Sequence, residues 1–291
     1  MARRTKKTAA KTKSAGKKTL GVSKKPFLRF LGFIFVIVAV SAAGWGLKKA
    51  ETHVRKEIVR ESKREISMVL RGYPEWINTP LKKRIVEQGY IGLEKLTAKP
   101  GTAELVAENL RSKFPWLKNV RVQTSVNRLT IVADYRKPAV LLRHKSTKFY
   151  ISEDMTVLDY IPMNSLSVPE VSGVVLASAP SPGEPLFHEQ IKAAVKLTQL
   201  FRAMDKSRTR KFLPHVESID VENYGITDSS IPQIVLKTKD GLDIFWGAAP
   251  GDAEAYFEIP EEKKLAVLYT IFESHPNLKG RYENIDLRFE Q

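Results

Sequence analysis

The chain has no cysteine. Disulfides, cysteine–zinc sites and thiol nucleophiles are therefore excluded, and any folded part must be held by its core alone. Histidine is sparse too. The five residues His53, His144, His188, His215 and His275 lie far apart, without an H-E-x-x-H and without an i, i+4 pair. No P-loop, dinucleotide fingerprint or G-x-S-x-G elbow is present. The expectation is no catalytic residue, no metal site, no cofactor and no small-molecule substrate. A triad assembled from Ser, His and Asp distant in sequence is the one enzymatic arrangement left open. Glu261-Glu262 is read as helix-start electrostatics and not as an acid/base pair.

Acidic residues are missing altogether from residues 1–29, which carry eleven Lys and Arg and so +11. Residues 48–65 add +3, leaving only +2 of the net +16 for residues 66–291. The pI of about 9.8 therefore describes a tail and not a basic binding domain. The tail is low-complexity Lys, Thr, Ala and Ser and is expected to be disordered and cytoplasmic. Its charge suits anionic lipid head groups better than a nucleic-acid contact.

Charge of either sign is absent from Phe30 to Leu47, FLGFIFVIVAVSAAGWGL. Such a run spans roughly 27 Å as a helix, close to the hydrocarbon thickness of a bilayer. It predicts a single transmembrane helix over 30–47, with the C-terminal bulk extracytoplasmic by the positive-inside rule. A signal peptide cut near Ser41-Ala42-Ala43 is the rival reading. The long basic segment and the length of the run favour the anchor.

The remainder reads as α+β. Residues 48–74 are expected to form a charged helical stalk, with Ile58, Ile66 and Leu70 spaced by eight and four, ended by Gly72 and Pro74. A first domain over 75–143 starts a helix at Thr79-Pro80-Leu81 and stops it at Gly89. Thr102 is the expected N-cap of a second helix, 103–113, that aligns Val106, Leu110 and Phe114. A hairpin follows, with Val120 and Val122 on one strand and Leu129, Ile131, Ala133 and Tyr135 on the other. Residues 144–291 are expected to be a mostly antiparallel β domain with helices near 187–204 and 261–273. Lys239-Asp240-Gly241 marks a hairpin, and Ile285–Phe289 a closing strand.

Several ordered segments together resemble the FtsQ/DivIB cell-division family. They are Phe114-Pro115-Trp116-Leu117-Lys118-Asn119-Val120, Leu129-Thr130-Ile131-Val132 and Arg136-Lys137-Pro138-Ala139-Val140-Leu141. Tyr150–Asp154 with Val157-Leu158, then Val168-Pro169-Glu170-Val171-Ser172-Gly173, then Ile285-Asp286-Leu287-Arg288-Phe289 continue the likeness. The resemblance implies a membrane helix, a POTRA domain of two helices on a small mixed sheet, and a β domain. It implies a non-enzymatic scaffold at the septum of the bacterial inner membrane. Its partners would be small bitopic coiled-coil proteins of the FtsB/FtsL type. Asp286, Leu287, Arg288 and Phe289 would contact the partner by edge-strand pairing, while Pro115, Trp116 and Pro138 would serve structure. The alternative is a POTRA-type chaperone or adaptor for envelope protein assembly. The chain departs from the pattern in three places: no first strand is visible before Thr79, Asp154-Met155 stands where an Asp-Gly turn is implied, and only two residues follow Phe289 where the resemblance implies a further tail strand.

Overall fold

The computed structural model describes residues 42, 44–54, 56, 66–93, 101–125, 128–275 and 278–290. The chain divides into two units, Met1–Arg60 and Glu61–Gln291. In the first, residues 42, 44–54 and 56 are helical (α1). Among the described residues, no helix is long and apolar enough to cross a membrane. The transmembrane helix expected over 30–47 is therefore corrected. α1 overlaps the expected span only at residues 42 and 44–47 and continues through Lys48, Lys49, Glu51 and Lys56, so the helix described is short of apolar residues and too charged to be a span. Residues 30–41 and 43 lie outside the described residues, as do the tail and the rival cleavage site at 41 and 43.

The second unit opens with a strand where a helix was expected. β1 (Ser67–Arg71) pairs in parallel with β3 (Arg128–Tyr135), which pairs antiparallel with β2 (Leu117–Ser125). The sheet order is β1-β3-β2. The helical reading failed for a simple reason: a spacing of four is also a multiple of two. Ile66, Met68 and Leu70 are successive same-face positions of extended chain, and all three face the core. Two helices cover that core. α2 (Thr79–Gly89) has Pro80 in its first turn, and the Asn78 side chain accepts from the Leu81 amide at 3.0 Å. α3 (Thr102–Lys113) starts after Gly101, which adopts the left-handed conformation. The cap is thus Gly101, and Thr102 lies buried inside the helix. Val106, Leu110 and Phe114 face inward as expected.

The second sheet has eight strands, in the order β11-β10-β9-β8-β7-β4-β5-β6. They are β4 (Pro138–His144), β5 (Thr147–Ser152), β6 (Val157–Asp159), β7 (Glu170–Ser172), β8 (Val216–Asp220), β9 (Ile234–Thr238), β10 (Asp243–Gly247) and β11 (Asn284–Asp286). Three of its ladders are parallel: β4 with β7, β7 with β8, and β10 with β11. The other four ladders are antiparallel, so the sheet is mixed with a small antiparallel majority. The two helices are the crossovers that parallel neighbours require. α4 (Glu189–Asp205) links β7 to β8, and α5 (Glu261–Ser274) links β10 to β11. Both pack into one core with the strands, through Ile191, Leu197 and Phe201 on α4 and Leu268, Tyr269 and Phe272 on α5.

β7 was not visible in the sequence. It has three residues and follows Pro169, yet it sits near the middle of the sheet. Its close approach to β8 requires Gly173, at φ +80°, where a Cβ would overlap the backbone of Glu222. Turn chemistry differs at Met155, which takes φ +62° in the β5–β6 turn. The left-handed conformation implied for a glycine is kept there by a larger side chain.

The small sheet and the eight-stranded sheet share a core. Tyr150, Leu158, Ile161 and Met163 pack with Ile85, Leu110, Trp116 and Leu129. Trp116 is fully buried, donates its indole N–H to Asp159 of β6 at 2.8 Å, and meets the Tyr150 ring edge-on at 5.9 Å. The structural role expected of Trp116 is thus a packing between the two sheets. Pro115 follows the end of α3, and Pro138 begins β4. Burial pushes the Tyr150 hydroxyl up to about 12.

Polar groups ring this junction. Arg136 donates to the carbonyls of Pro115 (2.7 Å) and Leu117 (3.0 Å). Asp154 accepts from Lys118 at 2.8 Å, Ser152 at 2.5 Å and Arg136 at 3.2 Å. Burial alone would raise the Asp154 carboxyl. Hydrogen bonds from Lys118 and Ser152, with the Arg136 charge, outweigh it and hold the group well below the usual carboxylate range. A depressed folded pKa stabilises above the unfolded value of about 4 and is lost as pH falls below it. Asp154→Asn should therefore lower the Tm at neutral pH, and the gap to the unsubstituted protein should close below about pH 4. A gap that stays constant on acidification would rule out this carboxylate as the cause.

Candidate partner-binding edge

The C-terminal end of the large sheet is built from a hairpin and a crossover. Thr238 closes the β9–β10 turn: its hydroxyl lies 2.5 Å from the Asp240 carboxylate and accepts from the Leu242 amide at 2.9 Å. β10 then carries Ile244 and Trp246 inward, both fully buried, while Phe245 is half-buried on the opposite face. Beyond Gly247 the chain turns through a short 3-10 helix, Ala253–Tyr256, into α5. β11 returns in parallel beside β10, pairing Ile244 with Ile285.

A buried charge cluster lies beneath this edge. Lys264, in the first turns of α5, has no solvent exposure. Its ammonium donates to the Glu258 carboxylate at 2.5 Å and to the Trp246 carbonyl at 2.8 Å, 5.2 Å from the Trp246 ring centroid. Glu258 also accepts from the Ala248 amide at 2.9 Å. Three groups thus satisfy one another away from water, the condition under which a buried ion pair is tolerated. Gly247, at φ +88°, makes room for them: a Cβ there would overlap the Glu258 carboxylate and crowd the Arg288 stem. No sequence signal announced this cluster, because Trp246, Glu258 and Lys264 come from three separate segments. Glu261 has a further structural use, accepting from the Gly251 amide at 2.5 Å.

The four residues expected to touch a partner separate into two kinds. Leu287 is in the core, and its amide donates to the Phe245 carbonyl at 2.9 Å. Arg288 is 6% exposed and turned inward. It donates to Asp286 at 2.7 Å and 3.0 Å and to the Ser229 carbonyl at 2.5 Å. Burial would raise the Asp286 carboxyl, but the Arg288 hydrogen bonds prevail and hold it low. An ion pair from Arg288 to a partner is thus replaced by one within the chain. The strict alternation expected over 285–289 stops here: β11 ends at Asp286 because the next segment bonds elsewhere, the Arg288 carbonyl accepting from Ile259 at 2.9 Å.

Phe289 is different. It is 43% exposed, with the Arg288 guanidinium 5.1 Å from its ring centroid. Close by in the fold, the segment bonded to Arg288 carries Phe257, which is 92% exposed at φ +57°. Two phenylalanines therefore stand in solvent near the end of β11, one on backbone that favours glycine. Phe257 went unnoticed in sequence, since nothing around it distinguishes an exposed ring from a core one.

β11 ends the strand order, and among the described residues no further strand pairs with it. The other edge, β6, is covered: Val157 exchanges hydrogen bonds with Gly183 and Glu184 at 2.8 and 2.9 Å. The five histidines are distributed over α1, the end of β4, the starts of α4 and β8, and the end of α5. No group of three metal-ligating side chains occurs among the described residues. No family model matches the chain, and no curated protein matches it.

Removing one member of the buried pair should cost far more than removing both. Glu258→Gln leaves the Lys264 ammonium unpaired and should destabilise by about 3–5 kcal/mol in urea unfolding. Glu258→Leu with Lys264→Met should recover most of that loss. Equal losses from the single and double changes would mean that the pair is not what holds this end of the sheet.

Proposed function

We propose that this chain is a non-enzymatic scaffold of the bacterial division machinery, acting at the division site through protein–protein contacts, and that β11 is where a partner adds a strand. The observation that carries the reading is that β11 stands last in the strand order, with no further strand paired to it among the described residues, and that Phe289 is exposed beside it. An added strand would pair along β11 itself, since the Arg288 carbonyl beyond it already accepts from Ile259, and the neighbouring ring would supply an apolar anchor. Exposed aromatics next to a sheet edge are costly in water unless something covers them.

The arrangement of the small sheet supports the same reading. A strand, β1, precedes the two helices at the position that the resemblance implied and the sequence did not reveal. Trp116 and Pro138, carried in the resembling segments, lie at the junction of the two sheets. Partner choice is proposed to follow the resemblance, toward small coiled-coil division proteins that offer one extended segment each. Leu287 and Arg288 hold the edge in shape, and Phe289 makes the contact.

Phe289→Lys in the full chain should weaken capture of such partners by roughly tenfold or more. Its Tm should stay within about 2 °C, because the ring is outside the core. Undiminished binding would sink the edge-strand reading. A fluorescent fusion should form a midcell band in dividing cells; a diffuse envelope signal would argue against the division role.

A further inference from the structure

A second surface lies at the opposite end of the molecule from β11 in the strand order. A cleft of about 720 Å³ opens where α2, α3 and the start of β2 face the loop at Pro182-Gly183. Its size is that of a ligand site. Its far wall is fixed, because Gly183 donates to Val157 of β6 at 2.8 Å. Its near wall is fixed by Arg111, whose guanidinium donates twice to the Val120 carbonyl, at 3.2 and 2.9 Å.

Charge in the cleft is unbalanced. Arg84, Arg111, Lys113 and Arg136 line it, against Glu87 and Asp159. Both carboxylates are already engaged. Asp159 accepts from Trp116 at 2.8 Å and lies 3.7 Å from Arg84, while Glu87 pairs with Lys83 at 3.7 Å. Arg136 is committed to Asp154. Among the described residues, Arg111 and Lys113 have no carboxylate partner. Arg111 is held with three of its five N–H groups still to be used, a fork that matches a carboxylate.

The remaining lining distinguishes between anions. Ile91 is 46% exposed, and Pro115 and Pro182 add apolar wall. Gln88 adds an uncharged donor and acceptor suited to a peptide backbone, while Ser112 and Asn119, which donate to the Glu108 carbonyl and to Asp134, keep acceptor oxygens. A free phosphate can accept from such donors but has no use for the apolar wall. We infer that this cleft binds an acidic, extended peptide segment with an aliphatic side chain, its carboxylates meeting Arg111 and Lys113. This site is separate from β11, so one chain can hold two partners at once.

The test uses the full chain and a short peptide of Glu and Ala with one Leu and one photoreactive residue, with cross-links mapped by mass spectrometry. Cross-links are expected in 84–91, 111–120 and 182–183. They should be suppressed by salt and absent with a Lys-containing peptide of equal length. Arg111→Gln with Lys113→Gln should cut their yield roughly tenfold, while cross-links to the basic residues 1–29 stay unchanged. Lys113→Glu, at an exposed position, tests the same point without touching the Val120 hydrogen bonds. Cross-links confined to residues 1–29, or a cleft yield unaffected by Lys113→Glu, would overturn the proposal. So would competition by inorganic phosphate as strong as that by unlabelled peptide, which would assign the cleft to a free anion.

Discussion

The β5–β6 end of the large sheet is buried on both faces, and the rest of the molecule is arranged around that constraint. Phe149, Ile151 and Val157 point into the core with α4 and α5, while Tyr150 and Leu158 point into the core of the small sheet. Alternation along a strand assigns each side chain to one face, so a strand with both faces apolar needs two separate covers. Trp116 fills the second cover. Its indole N–H finds Asp159, and its ring meets Tyr150, so the largest side chain at the junction leaves no polar group unsatisfied. Arg136, Lys118 and Asp154 then close the rim where water begins. The two sheets form one body because neither can bury its apolar surface alone.

The far end of the same sheet is organised by charge instead of aromatic packing. Lys264, Glu258 and the Trp246 carbonyl form a satisfied buried set, and Arg288 with Asp286 forms a second at the margin. The first ties α5 and the turn before it to β10, and the second ties the C-terminal segment to Ser229. The edge strand they support is only three residues long, which limits how far it can pair with stray chains. An edge that is short, rigid and flanked by Phe257 and Phe289 suits selective pairing better than a long flat one. The cleft beside α3 adds a surface of different chemistry, cationic where the β11 edge is apolar. In the proposed scaffold the two surfaces would engage partners of unlike chemistry.

Much of the fold was legible where one period dominated. α3 was visible because Val106, Leu110 and Phe114 recur at helical spacing, and the β9–β10 hairpin because Lys239-Asp240-Gly241 separates two apolar runs. β1 was misread because Ile66 and Leu70 satisfy both the helical and the extended period. β7 escaped because three residues after a proline carry no period at all. The direction of pairing was also hidden: β7–β8 and β10–β11 are parallel because of where α4 and α5 return the chain. At the candidate edge, four residues were named together, but Leu287 is core, Arg288 is used internally, and Phe257 gave no local sign.

Composition and local pattern alone excluded thiol, P-loop and H-E-x-x-H chemistry, located the basic tail, and marked most helices and hairpins. Those properties depend on residue types and near neighbours along the chain. Which strands are parallel, which strand stands at the edge, and which arginine is spent on an internal carboxylate were decided by the tertiary structure. Each of these depends on residues far apart in sequence, such as Ser229 with Arg288 or Trp116 with Asp159. Burial turns such distant pairs into near neighbours, and it leaves Phe289, Phe257, Arg111 and Lys113 facing outward.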